Sequence, residues 1–416
     1  MSTVTIEFMM QNGGFRLNVG DQLYGDLVRC LHNNRSLEPW TTVTQEIKLG
    51  IAELVANYGK QMPHLHKLNK KIQAMQIGEK FLVAEGMPED TSERSELEAL
   101  VEVLNTYDIS QVGAEWARRT AEMKSFMGKL LQNYNVFTPR LDVRITLGHA
   151  KKDERACRFC GGTLASGSSF TKVAHAVPEA LGNKTLILGD ECDICNKYFG
   201  DNIEPHLIGS FDIYRAFLGV RGKNGLPHLK YPCAEITHRD GIPVVIAQKI
   251  EFTDTSIFVE LGESRKLTPA KLYRALCKIT LSVLNEQELS GLEDTVAWVR
   301  NDQPSVVLPK VATNVLPGSS DGSELSVTVF TRKNDDHNLP HVVTEFRFGC
   351  VIYVYILPFS RLDKQSFIID EEYEKFWSCF PMYCQTKNWK FEDFHCTTEL
   401  TINDSIRVEH SGQTKI

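Results

Sequence analysis

Hydrophobic positions recur along this chain in two rhythms, and the change between them marks its organisation. After a short β-like piece, Trp116, Met123, Met127, Leu130 and Tyr134 recur at helical spacing with polar residues on the other face. That is the period of a helix packed on one side, and it assigns this stripe to a core. Leu97, Leu100, Val101 and Leu104 predict a second helix, with Thr91 or Ser92 as its cap. From about residue 151 to about residue 209 the period dissolves into short Gly- and Cys-rich turns. A helix is expected over 211–218, then a loop, Arg221-Gly222-Lys223-Asn224-Gly225, then strands around Ile250, Phe252 and 257–259. Thr268-Pro269 is a helix start, with a capping hydroxyl and a proline in the first turn. Leu272, Leu276, Ile279 and Val283 give that helix its buried stripe, and a second helix over 289–300 closes against Pro304. A flexible connector over 316–323 precedes strands over 325–330 and 342–357.

These elements predict an α+β multidomain protein. A mainly helical domain is expected over 1–150, a metal-stabilised module over 151–230 and an α+β domain over 231–416. The basic run Lys60, His64, His66, Lys67, Lys70 and Lys71 reads as a solvated face before it reads as a phosphate-tracking surface.

A length of 416 residues leaves room for two or three domains, and 42% hydrophobic with 24% charged residues is ordinary for a soluble protein. The net charge of −7 excludes a protein that coats nucleic acid through bulk charge. A local basic cleft stays open, because fields are screened within about 8–10 Å. The first five residues carry no basic region followed by an apolar run, so no signal peptide is expected. The longest apolar run, 351–357, is far short of the roughly 20 residues of a membrane span. With eleven cysteines, an odd number, the expected setting is reducing and cytoplasmic, with no membrane partner.

Four of those cysteines form two Cys-x-x-Cys pairs, Cys157/Cys160 and Cys192/Cys195. A Cys-x-x-Cys turn aims two sulfurs at one point, and two such turns complete a tetrahedron, so structural zinc is expected. A redox dithiol would sit in a βαβ context, which is missing here. Zinc alone names no function. The discriminating residues lie between and after the knuckles: His175-Ala-Val-Pro178-Glu-Ala-Leu-Gly182-Asn183, then Cys192-x-x-Cys195-Asn196-x-x-Phe199-Gly200-x-x-x-Glu204.

This string resembles the HNH endonuclease family, in its branch with cysteine knuckles, an Ala-His-x-x-Pro core and a Cys-x-x-Cys-Asn-x-x-Phe-Gly close. The resemblance covers about 50 residues of 416. It implies a ββα-metal module, a β-hairpin and a helix around one divalent metal, most simply Mg²⁺, with nucleic acid as partner. By position, His175 matches the family's general base, Asn183 the asparagine that orients it, and Asn196 a metal ligand. Glu204, taken as two turns further along the Asn196 helix, is a second candidate ligand. One departure stands out. Many relatives carry Asp or Glu immediately before the base histidine, and here that place is Ala174. Glu191, Asp193, Asp201, Glu204 and His206 are the nearby substitutes, and loss of activity is the other outcome.

Arg215, Arg221, Lys223 and Lys230 follow the module and are candidates to clamp phosphates, or are ordinary surface charges. The function expected is a metal-dependent HNH endonuclease acting on DNA, with flanking domains for recognition or regulation. The alternative is a zinc-stabilised nucleic-acid-binding or interaction protein that does not cut.

Overall fold

The structure is a computed structural model that describes residues 3–11, 13–32, 40–88, 91–141, 144–149, 151–223, 225–253, 255–301, 306–316 and 325–409. The capping side chains of Thr91 and Ser92, together with Asn224, Pro304 and the connector from residue 317 onward, lie outside the described residues. The fold is mixed α/β, and the chain divides into two compact units, Met1–Leu131 and Gln132–Ile416.

In the first unit the β-like start is a full hairpin, β1 (Thr3–Met9) against β2 (Phe15–Gly20), extended by β4 (Lys80–Ala84) and the short β3 (Thr41–Thr42) into a sheet of order β2-β1-β4-β3. Alternation sends Phe15, Leu17 and Val19 inward. Helices α1 (Asp21–His32), α2 (Gln45–Tyr58) and α3 (His64–Ala74) close that core with Leu23, Ile51, Leu65, Leu68 and Ile72. Because α3 buries Leu65, Leu68 and Ile72, His64, Lys67 and Lys70 face water. Helices α4 (Thr91–Thr106) and α5 (Ile109–Asn133) follow. The stripe read through Tyr134 breaks there: α5 ends at Asn133 and Tyr134 opens a strand. The Tyr134 hydroxyl donates to Pro340 O and its ring packs on Phe330 and Phe380, so sheet contacts decide its conformation over helical period.

The second unit is organised by a six-stranded sheet, order β17-β13-β16-β15-β14-β5. Its members are β5 (Tyr134–Phe137), β13 (Val311–Val315), β14 (Leu325–Arg332), β15 (Val342–Phe348), β16 (Val351–Ile356) and β17 (Lys390–Glu392). The stretch 342–357 folds back on itself at Gly349, whose φ of +57° suits a residue without Cβ. Helix α9 (Pro269–Val283) lies on this sheet, with Thr268 at its cap position but making no side-chain capping bond. Tyr273 donates to Ile356 O and the Tyr355 hydroxyl to Leu276 O. The expected buried stripe is present, but every residue of α9 except Lys271 is buried, including Arg274 and Lys278. A second layer therefore covers the face opposite the sheet.

That layer is the Cys-rich segment. It contributes β6 (Ile145–Leu147), β7 (Leu186–Leu188), α6 (Asp193–Asn202), α7 (Glu204–Ser210) and α8 (Asp212–Phe217). Cys157, Phe159, Ala176, Leu186, Leu188, Cys195 and Phe199 share one core with Leu276, Ile279, Phe346 and Tyr355. Arg274 reaches across to the Tyr198 hydroxyl, and Arg158 donates to the carbonyls of Leu281, Ser282 and Leu284, which close the C-terminal end of α9. Two smaller sheets complete the unit: β8 (Leu229–Lys230), β9 (Ala234–Arg239) and β10 (Ile242–Ala247), and then β11 (Ile250–Phe252), β12 (Ser256–Leu267) and β18 (Leu400–Glu409). Helix α10 (Glu293–Arg300) starts later than the expected 289, after a 3₁₀ turn at Gln287–Leu289. Among the described residues no helix is long and apolar enough to cross a membrane.

Candidate HNH site

The sulfurs of Cys157, Cys160, Cys192 and Cys195 all lie within 4.8 Å of one another. The first knuckle turns at Gly161, φ +69°, where its amide donates to Cys157 O, and the Cys192 amide donates to Cys157 Sγ at 3.4 Å. Cys160 and Cys192 sulfurs are 3.7 Å apart, close to the edge of about 3.8 Å of a tetrahedron with Zn–S bonds of about 2.3 Å. Four thiols so placed cannot all ionise unaided. The hydrogen bond from Cys195 holds Cys157 down to about 5, while burial pushes Cys192 up to about 11. The donor set fits a closed metal ion site such as zinc.

The second knuckle leads into α6, and the stretch between the knuckles forms a hairpin. Residues 174–176 run antiparallel to β7, with His175 opposite Ile187, Ala176 N–H donating to Leu186 O and Leu188 N–H to Ala174 O. Strand β6 adds in parallel on the other side of β7. Alternation then sorts the side chains. Ala174, Ala176, Leu186 and Leu188 are buried, with Ala176, Leu186 and Leu188 in the shared core, while Thr146, Ile187 and His175 fall on the opposite face. Period-2 geometry, with alanines on either side, puts His175 there.

The imidazole of His175 is half-buried and makes no side-chain hydrogen bond among the described residues. Burial lowers its pKa below the ordinary 6.5; Glu179 and Glu204 oppose this, and Lys278 and Arg144 add to it. The ring is therefore neutral and able to accept a proton at pH 7.

Asn183 is buried in the loop of the hairpin. Its Nδ2 donates to Val177 O at 2.8 Å and Leu186 O at 3.0 Å, and its Oδ1 accepts from the amides of Thr185 and Leu186. The loop reaches it through a 3₁₀ turn at Glu179–Leu181 that ends on Gly182, φ +91°. Asn183 touches His175 with none of its polar atoms; it fixes the two strands between which His175 sits. Replacing Asn183 with alanine is expected to lower stability by about 2–4 kcal/mol, since four main-chain groups lose a partner in a buried place. Thermal melts of the full chain check this, and an unchanged midpoint would contradict it.

Asn196 is half-buried in the first turn of α6. Its backbone N–H already donates to Cys192 O, so it is not a cap, and its side-chain amide has no hydrogen-bond partner among the described residues. Glu204 is not on the same helix. Helix α6 ends at Asn202, and Glu204 opens α7, because Pro205 has no N–H to continue the ladder.

The substitutes considered for the position of Ala174 are each engaged elsewhere. Asp193 accepts from Ser169 Oγ and from the amides of Thr171 and Lys172; against the burial that would raise it, these bonds hold its carboxyl well below the usual range. Asp201 pairs with Lys197, and His206 Nδ1 accepts from the Thr268 amide. Glu191 and Glu204 both meet Lys278 Nζ, at 3.2 and 3.1 Å. Glu191, pushed up to about 7 by burial, receives no well-directed hydrogen bond on either oxygen. Among the described residues, no other three His, Cys, Asp or Glu side chains converge as the four cysteines do.

Of the four candidate phosphate contacts, Arg215 is committed: its guanidinium donates to Ala180 O and pairs with Asp212 at 2.7 Å, with its side chain 11% exposed. Arg221, Lys223 and Lys230 are exposed and make no ion pair among the described residues.

A strand pair with an outward histidine, a following helix and a four-cysteine cluster define a compact ββα unit embedded mid-chain. Residues 157–212 match the sequence model of the HNH endonuclease family. No curated protein and no solved structure matches the chain.

Proposed function

We propose that the protein is a metal-dependent endonuclease that hydrolyses phosphodiester bonds of DNA, with the four cysteines holding structural zinc. The observation that carries this reading is His175: a half-buried imidazole on the outward face of the hairpin, with no side-chain hydrogen bond among the described residues, inside the segment that matches the family.

In this reading neutral His175 takes a proton from the attacking water. The new bond forms at phosphorus as the bond to the 3′ oxygen breaks, and that oxygen takes a proton from solvent water, leaving 5′-phosphate and 3′-hydroxyl ends. Asn183 holds the hairpin that aims the ring. Asn196, whose amide has no hydrogen-bond partner among the described residues, and Glu204, 15% exposed with one oxygen on Lys278, are the residues that would hold a catalytic cation. Two oxygen donors suit Mg²⁺, which takes one or two protein oxygens and completes its shell with water and phosphate. When bound, such a cation supplies positive charge against the scissile phosphate and the departing 3′ oxygen. Arg221, Lys223 and Lys230 are exposed and placed after the module in sequence to meet phosphates.

A second reading, a nucleic-acid-binding module that no longer cuts, is favoured by Ala174, which offers no ligand, and by the ion pair that engages Glu204.

The pH–rate profile tests the proposal. A base works in its unprotonated form, so the rate falls as pH drops through its pKa, about tenfold per unit. Since burial sets the His175 pKa below 6.5, the midpoint of the decline in cleavage with falling pH is expected below pH 6.5. A midpoint above 6.5 would remove His175, in this environment, as the base.

A further inference from the structure

Lys278 lies on α9, well outside the matched segment, yet it ends at the heart of the candidate site. Its side chain is 1% exposed. Its ammonium donates to His175 O at 3.0 Å and forms ion pairs with Glu204 at 3.1 Å and Glu191 at 3.2 Å. Its ammonium also lies 5.7 Å from the centre of the Phe199 ring, one turn beyond Asn196 on α6. Burial alone would favour the neutral amine, but the two carboxylates outweigh it and keep the group charged.

The acceptors come from three separate places: the edge of the hairpin, the loop before the second knuckle, and the first turn of α7. His175 pairs with β7 through one edge of its strand, and the ammonium takes its carbonyl. One charged point therefore fixes the main chain that carries the imidazole and the carboxylate of Glu204.

We propose that Lys278 is a positioning residue of the HNH centre, joining the strand of His175 to Glu204 through one buried ammonium, with Glu191 as its counter-ion. This rests on the nuclease reading for its catalytic consequence, though not for its structural one. The matched segment is then not a self-sufficient catalytic unit. Its geometry is completed from α9, and α9 is packed against the six-stranded sheet.

The test uses the full-length, zinc-loaded chain. Lys278→Met alone would strand two buried carboxylates, so it is paired with Glu191→Gln. A merely structural lysine is replaceable by this neutral pair. A positioning lysine is not, and displacing reacting groups by about 1 Å can cost on the order of a hundredfold. The double variant is expected to keep one zinc per chain, to lose about a hundredfold in kcat, and to hold KM for DNA within about threefold. The His175 ring, followed by NMR of labelled histidine and assigned with His175→Ala, is expected to titrate at higher pH. Its neighbours Glu179 and Glu204 keep their negative charge and Arg144 its positive charge, while that of Lys278 is gone. Wild-type kcat together with an unmoved His175 titration would overturn the proposal. If the wild-type chain does not cleave at all, the nuclease reading fails separately, and the backbone amide resonance of labelled His175 decides: displaced in the double variant supports positioning, unchanged refutes it. Should the double variant not fold, Lys278→Gln keeps two donors for His175 O and Glu204. A loss of about tenfold with zinc retained supports the role, and full activity refutes it.

Discussion

His175→Ala is expected to lower the DNA cleavage rate by about a thousandfold while leaving the fold intact. The size follows from the contribution of a positioned general base, about 10²–10⁴. The selectivity follows from the surroundings. The imidazole makes no side-chain hydrogen bond among the described residues, and the contacts that hold its strand are main-chain ones: the pairing with β7 and the carbonyl bond to Lys278. An alanine keeps all of them, as the alanines at 174 and 176 already do. Zinc content and melting temperature should therefore match the wild type, and single-turnover cleavage should not. A variant that retains more than a tenth of the rate would show that another group takes the proton.

Cys157→Ser, or removal of zinc by a strong chelator, is expected to have the largest effect on stability. A structural zinc site contributes on the order of 10 kcal/mol in isolated finger peptides, and a larger core retains only part of that dependence. Here Cys157, Cys192 and Cys195 are buried in the same core as Leu276, Phe346 and Tyr355. Without a cation the sulfurs, within 4.8 Å of one another, would have to stay protonated or repel. Loosening the knuckle also frees Arg158 from the carbonyls at the end of α9. The loss should therefore spread beyond residues 157–212. A fall in melting temperature of about 10 °C or more is expected, at about 2–4 °C per kcal/mol. Calorimetry with zinc quantified on the same samples checks it, and a zinc-free Cys157→Ser chain melting with the wild type would contradict the assignment.

The parts of this centre that were legible from sequence are those fixed by local rules. Paired Cys-x-x-Cys turns converge because the turn geometry requires it. Thr268-Pro269 starts a helix because proline suits its first turn. Other features depend on contacts between distant segments. Tyr134 reads as one more helical position, but its hydroxyl bonds Pro340 O in a strand. Glu204 looks collinear with Asn196 until Pro205, a signal present in the sequence, is allowed to end the ladder. Lys278 falls opposite the apolar stripe of α9, the usual place of a solvated lysine. Nothing local distinguishes it from one, and only the second layer over α9 makes it a buried counter-ion between Glu191 and Glu204. The role of Arg158 at the end of α9 is hidden for the same reason.

The most direct measurement is cleavage of supercoiled plasmid by the zinc-loaded chain in metal-free buffer and after addition of Mg²⁺ or Mn²⁺, with His175→Ala alongside. Nicking or linearisation that depends on the added ion and disappears in His175→Ala is the predicted result. A folded, zinc-loaded chain that binds DNA without cutting it under any of these conditions would contradict the nuclease account and place Ala174 as the site of a lost ligand.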